Sequence, residues 1–149
     1  MQTVRQAVAL CRQYGIETGM FLMWGYEGEE LEDIEATIDH VRSSNPDIFL
    51  TTVSYPIKGT PYYNKVASRV IQIKPWANTS DRELDIAGRR PREFYRVADE
   101  LLRYEVELAR LRLRESDPGT AQRITELGTL IEDRRRTLYA NPPVAERTA

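Results

Sequence analysis

Two stretches decide how this chain is read: MFLMWGYEGEE, Met20 to Glu30, and IFLTTVSYPIKGTP, Ile48 to Pro61. Each runs from branched and large apolar residues into a short segment carrying glycine. Ile16 to Trp24 lacks polar alternation, which predicts a strand covered on both faces, as parallel strands of α/β folds are. Ile48 to Ser54 is a strand by its β-branched content. Between them Leu31, Ile34, Thr37, Ile38 and Val41 recur at three- and four-residue spacing, so an amphipathic helix joins the strands. Its first turn carries Glu29, Glu30, Glu32 and Asp33, where the positive end of the helix dipole favours carboxylates, and Ser43-Ser44-Asn45-Pro46 ends it.

Strand, helix, strand in that order implies a parallel pair joined by a right-handed crossover. Both glycine-bearing exits, Gly25-Tyr26-Glu27-Gly28-Glu29-Glu30 and Tyr55-Pro56-Ile57-Lys58-Gly59-Thr60-Pro61, then leave the C-terminal edge of one sheet. Ligands bind at that edge in parallel α/β architectures. Upstream, Val4, Ala7, Val8, Leu10 and Cys11 mark a first helix closed by Tyr14-Gly15.

The rest of the chain changes character. Residues 74–90 read as a turn-rich connector, including Trp76. After Pro91, Phe94, Val97, Leu101, Tyr104, Leu108 and Leu111 follow spacings of 3, 4, 3, 4, 3, a heptad-like seam. Asp117 and Pro118 are a plausible cap and first position of a second helix lined by Ile124, Leu127, Ile131 and Leu138. Residues 91–140 therefore form an antiparallel helical hairpin, with 141–149 expected as a disordered tail.

Composition narrows the function. The chain has 149 residues and a formal net charge of −2. No apolar run approaches the ~18 residues of a membrane span, and the N-terminus lacks the features of a secretory signal, so a cytoplasmic protein is expected. Eighteen arginines stand against three lysines, but the eleven arginines from Arg92 onward are matched by eleven acids over 91–149. That balance argues against nucleic-acid binding. Cys11 is the one cysteine, which leaves no internal disulfide and no multi-cysteine site. His40 has no cysteine or histidine at ligand spacing, so no metal residue is assigned.

The run GIETGMFLMWGYEGEELEDIEATIDHVRSSNPDIFLTTVSYPIKGTPYYNKV, Gly15 to Val66, resembles the later barrel strands of radical S-adenosylmethionine enzymes. There, one strand ends in G-x-x-G-E and the next in P-x-x-G-T-P. The wording is most similar to the branch with an upstream cobalamin-binding domain, which includes anaerobic magnesium-protoporphyrin monomethyl ester oxidative cyclases and cobalamin-dependent methylases. The resemblance covers about Thr3 to Val70 and continues more loosely through Trp76 and Arg89-Arg90-Pro91.

That resemblance implies an α/β fold in which residues 1–73 form the C-terminal part of a TIM-like barrel, with two parallel strands followed by the helical hairpin. It implies S-adenosylmethionine, a 4Fe-4S cluster and, in that branch, cobalamin as cofactors of the parent enzyme. The cluster loop C-x-x-x-C-x-x-C is absent, and one cysteine cannot supply three thiolates. The chain is accordingly expected to be a C-terminal portion of a longer enzyme, inactive alone and with no catalytic residue of its own. Its expected partner is the remainder of that enzyme or a second copy of the chain.

By the same resemblance Met23, Gly25, Gly28 and Glu29 of the first exit, with Pro56, Gly59 and Thr60 of the second, border the adenosyl group. Phe21 stands where the family usually has glycine. Glu27, in place of a common proline, is expected to be solvated, and Glu29 and Glu30 to serve the helix N-terminus. Arg134-Arg135-Arg136 is expected to be a solvated helix face. The competing reading is a non-catalytic interaction module built on the helical hairpin.

Overall fold

A computed structural model describes residues 2–73, 80–113 and 118–141. Trp76, Asp117 and residues 142–149 of the expected tail lie outside the described residues. In chain order the elements are α1 (Gln2–Gln13), β1 (Gly19–Trp24), α2 (Leu31–Ser44), β2 (Ile48–Val53), α3 (Pro61–Val66), β3 (Val70–Gln72), β4 (Leu84–Ile86), α4 (Arg92–Arg112) and α5 (Pro118–Tyr139).

β1 and β2 pair in parallel, from Gly19 opposite Ile48 to Trp24 opposite Val53. Both ends of the pair are pinned. At the entry, one carboxylate oxygen of Asp47 accepts from the Thr18 amide at 2.7 Å and from the Thr18 hydroxyl at 2.9 Å. At the exit, the Ser54 amide donates to the Trp24 carbonyl at 2.7 Å. α2 ends as its sequence suggests: Asn45 turns left-handed at φ +48° and its amide returns to the Val41 carbonyl, which a short polar side chain tolerates.

Among the described residues the strands have a layer on one face alone, which corrects the expectation for Ile16 to Trp24. Met20, Leu22 and Trp24 alternate inward with Phe49 and Val53 and join the core. The opposite face is bare: Phe21 is 87% exposed, Ile48 57%, Met23 54% and Leu50 52%. A parallel pair whose second face is equally apolar is half of the arrangement that its sequence describes.

α4 is the central helix. Of the heptad-like seam, Phe94, Val97, Leu101 and Leu108 are buried, and Tyr95, Ala98, Leu102, Glu105 and Val106 form a second buried row. This doubled face lets α4 contact α5 as well as α2 and β2. Leu127, Ile131 and Leu138 of α5 enter the same cluster, which runs from Val8 to Leu138. The hairpin thus folds onto the sheet and spends its seam within the chain.

Charge ties these helices together. Arg135 grips Glu35 of α2 at 2.9 Å and Glu105 of α4 at 2.9 Å, and Arg42 approaches Glu105 at 3.4 Å. Glu105 is buried, and two guanidiniums offset the cost of desolvating it. Arg134 pairs with Glu100 at 2.5 Å. The triple-arginine stretch is therefore in part a set of interhelical clamps, and Arg136 alone of the three is exposed.

A second sheet was not visible in the sequence pattern. β3 and β4 pair antiparallel, Val70 opposite Ile86, with β4 lying inside the stretch read as a connector. Strands of three residues carry too little alternation to register as strands.

Candidate functional site

The two exits leave the same edge of the β1–β2 sheet because the strands are parallel. Gly25, Gly28 and Gly59 all take positive φ, +72°, +83° and +83°, a region costly for residues with a Cβ. At Gly28 and Gly59 an added Cβ would meet open space. At Gly25 it would lie 2.8 Å from the Tyr95 ring carbon that bears the hydroxyl. Gly25 is thus required twice over, by its turn and by the aromatic ring seated against it.

One arginine joins the exits. The Arg89 Nη1 donates to the Ser54 carbonyl at the end of β2 and, at 3.4 Å, to the Gly25 carbonyl at the end of β1. Its Nη2 pairs with Asp85 of β4. The side chain is 8% exposed, so these charge-assisted bonds form where water competes weakly. Arg89 fixes both loops and the small sheet relative to one another. The sequence offered one hint of this, the arginine pair beside Gly88. Nothing local foretold that Arg89 would reach back to residues 25 and 54.

The first exit is closed from within. The Glu29 carboxylate accepts from the Gly25 amide at 2.8 Å, rather than serving the helix N-terminus as expected. That terminus is closed by a capping box of Glu30, the N-cap residue, and Asp33, whose carboxylate accepts from the Glu30 amide at 2.9 Å, so the expectation holds for Glu30 and not for Glu29. Burial pushes the Glu29 carboxyl above its ordinary range, against the lowering effect of the Gly25 amide and of Arg89. Burial likewise pushes the Tyr95 phenol up to about 12, keeping it neutral. Glu27 is not simply solvated: Lys65 at 2.8 Å and Arg69 at 2.5 Å hold it. These bonds lower its carboxyl below the usual range and tie the first exit to the segment that follows the second.

Beside these contacts lies an open cleft of about 520 Å³ lined by Gly25, Gly28, Glu29, Tyr62, Arg69 and Tyr95, among others. Tyr26 stacks on Tyr62 with ring centroids 5.1 Å apart, and the Tyr62 hydroxyl is buried without a hydrogen-bond partner. Of the second exit, Pro56 is buried and Gly59 is exposed. The Thr60 hydroxyl donates to the Ile57 carbonyl at 2.7 Å and accepts from the Tyr63 amide at 3.2 Å, capping α3. Met23 lies on the bare sheet face, beside a different cavity.

The seven residues singled out from the sequence therefore share one rim but not one cavity. Gly25, Glu29 and Thr60 have structural duties that account for them. Gly28 and Gly59 keep backbone accessible with no internal duty beyond their turns. Among the described residues no cluster of three or more histidine, cysteine or acidic side chains is placed to hold a metal. No helix among them is long and apolar enough to cross a membrane. Comparison with known protein families, characterised proteins and solved structures finds no match to the chain.

Two predictions follow from this geometry. Gly25→Ala, which adds both backbone strain and a collision with Tyr95, is expected to cost about 3 kcal/mol, against about 1 kcal/mol for Gly59→Ala, which adds strain alone. Urea unfolding of both variants checks the difference; equal losses would mean that Tyr95 does not press on Gly25.

The second concerns Glu29. Its folded-state pKa is raised, so its contribution is full below the unfolded value, near 4.5, and is lost as pH rises through the folded value. Glu29→Gln mimics the protonated acid. It is expected to unfold at higher urea than the parent protein at pH 7, with the advantage gone below the ordinary carboxyl range; a variant less stable at pH 7 would contradict this.

Proposed function

We propose that the chain is a late segment of a radical S-adenosylmethionine barrel and supplies part of the rim that borders the adenosyl group. The observation that carries this reading is the convergence of the two glycine-bearing exits at one edge of a parallel pair, in the order G-x-x-G-E then P-x-x-G-T-P. Supporting it are the bare apolar face and, among the described residues, the unpaired outer edges of β1 and β2, which make a sheet of two strands. Such a sheet is completed by more strands on either side, as a TIM-like barrel supplies.

The cofactors divide on this reading. A 4Fe-4S cluster does not fit the residues present, since Cys11 is the one thiol and three are needed. The rest of the barrel would hold the cluster, and no chemical step is assigned to this chain. An adenosyl group fits the rim at its loops: Gly28 and Gly59 admit close approach of a ligand to backbone, whereas Met23, exposed on the sheet face, lines a different cavity. S-adenosylmethionine bound to the cluster supplies a 5′-deoxyadenosyl radical in that family. This chain's share is to position the nucleoside. No residue here is assigned to cobalamin.

The competing reading, an interaction module using the α4 seam, loses its main support because that seam is buried against the chain's own core. Titration of the isotopically labelled chain with 5′-deoxyadenosine tests the proposal. The amide signals of Gly28 and Glu29 are expected to shift together with those of Lys58 to Thr60, with a Kd on the order of 1 mM, as befits one wall of a site. Shifts confined to one exit, or none, would overturn it.

A further inference from the structure

The bare face of the β1–β2 sheet holds a cavity of about 670 Å³, within the range of small-molecule sites. Phe21, Met23 and Leu50 give it apolar walls, Tyr55 adds a phenol, and Arg82 and Arg92 are the charged groups in its lining. Isolated exposed apolar residues are ordinary. Four on one face of a two-stranded sheet make a patch that calls for an occupant.

The arginines say which kind. Among the described residues no ion pair engages the Arg82 guanidinium. Arg92 donates to the Arg82 carbonyl at 3.1 Å and stands 3.7 Å from Asp85, whose closer partner is Arg89. No acidic side chain is among the described residues lining this cavity. We infer that this face binds an apolar small molecule carrying a carboxylate, its body against Phe21, Met23 and Leu50 and its carboxylate received by Arg82 and Arg92.

Other occupants fit less well. A second copy docked face to face about a two-fold axis would bring two arginine pairs into one interface with no acid between them, a like-charge cost. Further strands add at the edges of a sheet and leave its face open. A phosphate would be paired by arginine as well, but its second charge raises the cost of entering an apolar cleft. Taken together with the barrel proposal, on which this clause rests, the face is the inward one and the ligand represents the substrate class.

The test uses the full chain and two fluorescent probes that differ in one group, 1-pyrenebutyrate and 1-pyrenebutanol. The acid is expected to bind about tenfold more tightly than the alcohol, as a charge-assisted contact warrants. The double variant Arg82→Gln/Arg92→Gln, altered at exposed positions, is expected to remove that difference while leaving the alcohol's affinity unchanged. Phe21→Ser is expected to weaken both probes. Equal affinities for acid and alcohol, a preference that survives loss of both arginines, or binding indifferent to Phe21→Ser would each overturn the inference. So would a dimer in sedimentation that binds neither probe. Failure of the 5′-deoxyadenosine titration would remove the barrel reading without touching these results, and failure here would leave that reading in place.

Discussion

Arg89 is the constraint on which the rest of the rim depends. Parallel pairing carries two chain exits to one edge, but pairing ends at Trp24 and Val53, and loops beyond it are free to diverge. A guanidinium with several donors in a rigid fork can satisfy two carbonyls and a carboxylate at once, and Arg89 does so with Gly25, Ser54 and Asp85. Those carbonyls lose their ladder partners where the strands stop, and an unpaired buried carbonyl is costly. The same contact therefore closes the hydrogen bonding of the sheet edge and sets the spacing of the two loops. Tyr95, wedged against Gly25, keeps the first loop from moving inward.

Beyond that edge the molecule is asymmetric. One face of β1–β2 is buried under helices whose order is enforced by Arg135, Arg42 and Glu105. The other offers Phe21, Met23, Ile48 and Leu50 to solvent. Water penalises that exposure by about 25 cal/mol for each Å² of apolar area, so the face is stabilised by whatever covers it. The barrel proposal and the ligand inference are compatible: on the first, strands would extend the sheet sideways, and on the second, an apolar carboxylate would fill its hollow.

Much of this was legible in the amino-acid sequence, for reasons that can be stated. α2 and its end at Asn45 follow from a 3.6-residue period and a polar residue suited to left-handed φ. The direction of β2 relative to β1 follows from a helix filling the connection. What escaped was long-range or very short. The two-row burial of α4 was hidden because Tyr95 and Glu105 look like surface residues until Gly25 and Arg135 are brought to them. β3 and β4 are too brief to show a period. Apolar composition alone told that β1 prefers cover on both sides, but not that one side lies open. Of the seven rim residues, spacing located the turns, while the internal duties of Glu29 and Thr60 depend on hydrogen bonds that only the folded loops reveal.

The central claim is that a single arginine holds two exits as one rim. Hydrogen exchange measured residue by residue on the wild-type chain and on Arg89→Met tests it directly, because the amides of Glu29, Ser54 and Thr60 are each hydrogen-bonded to backbone in or at the two loops. The account predicts that all three exchange faster together in the variant while the amides of α5 keep their protection. Acceleration limited to residues near position 89, with the Glu29 and Ser54 amides unchanged, would contradict it.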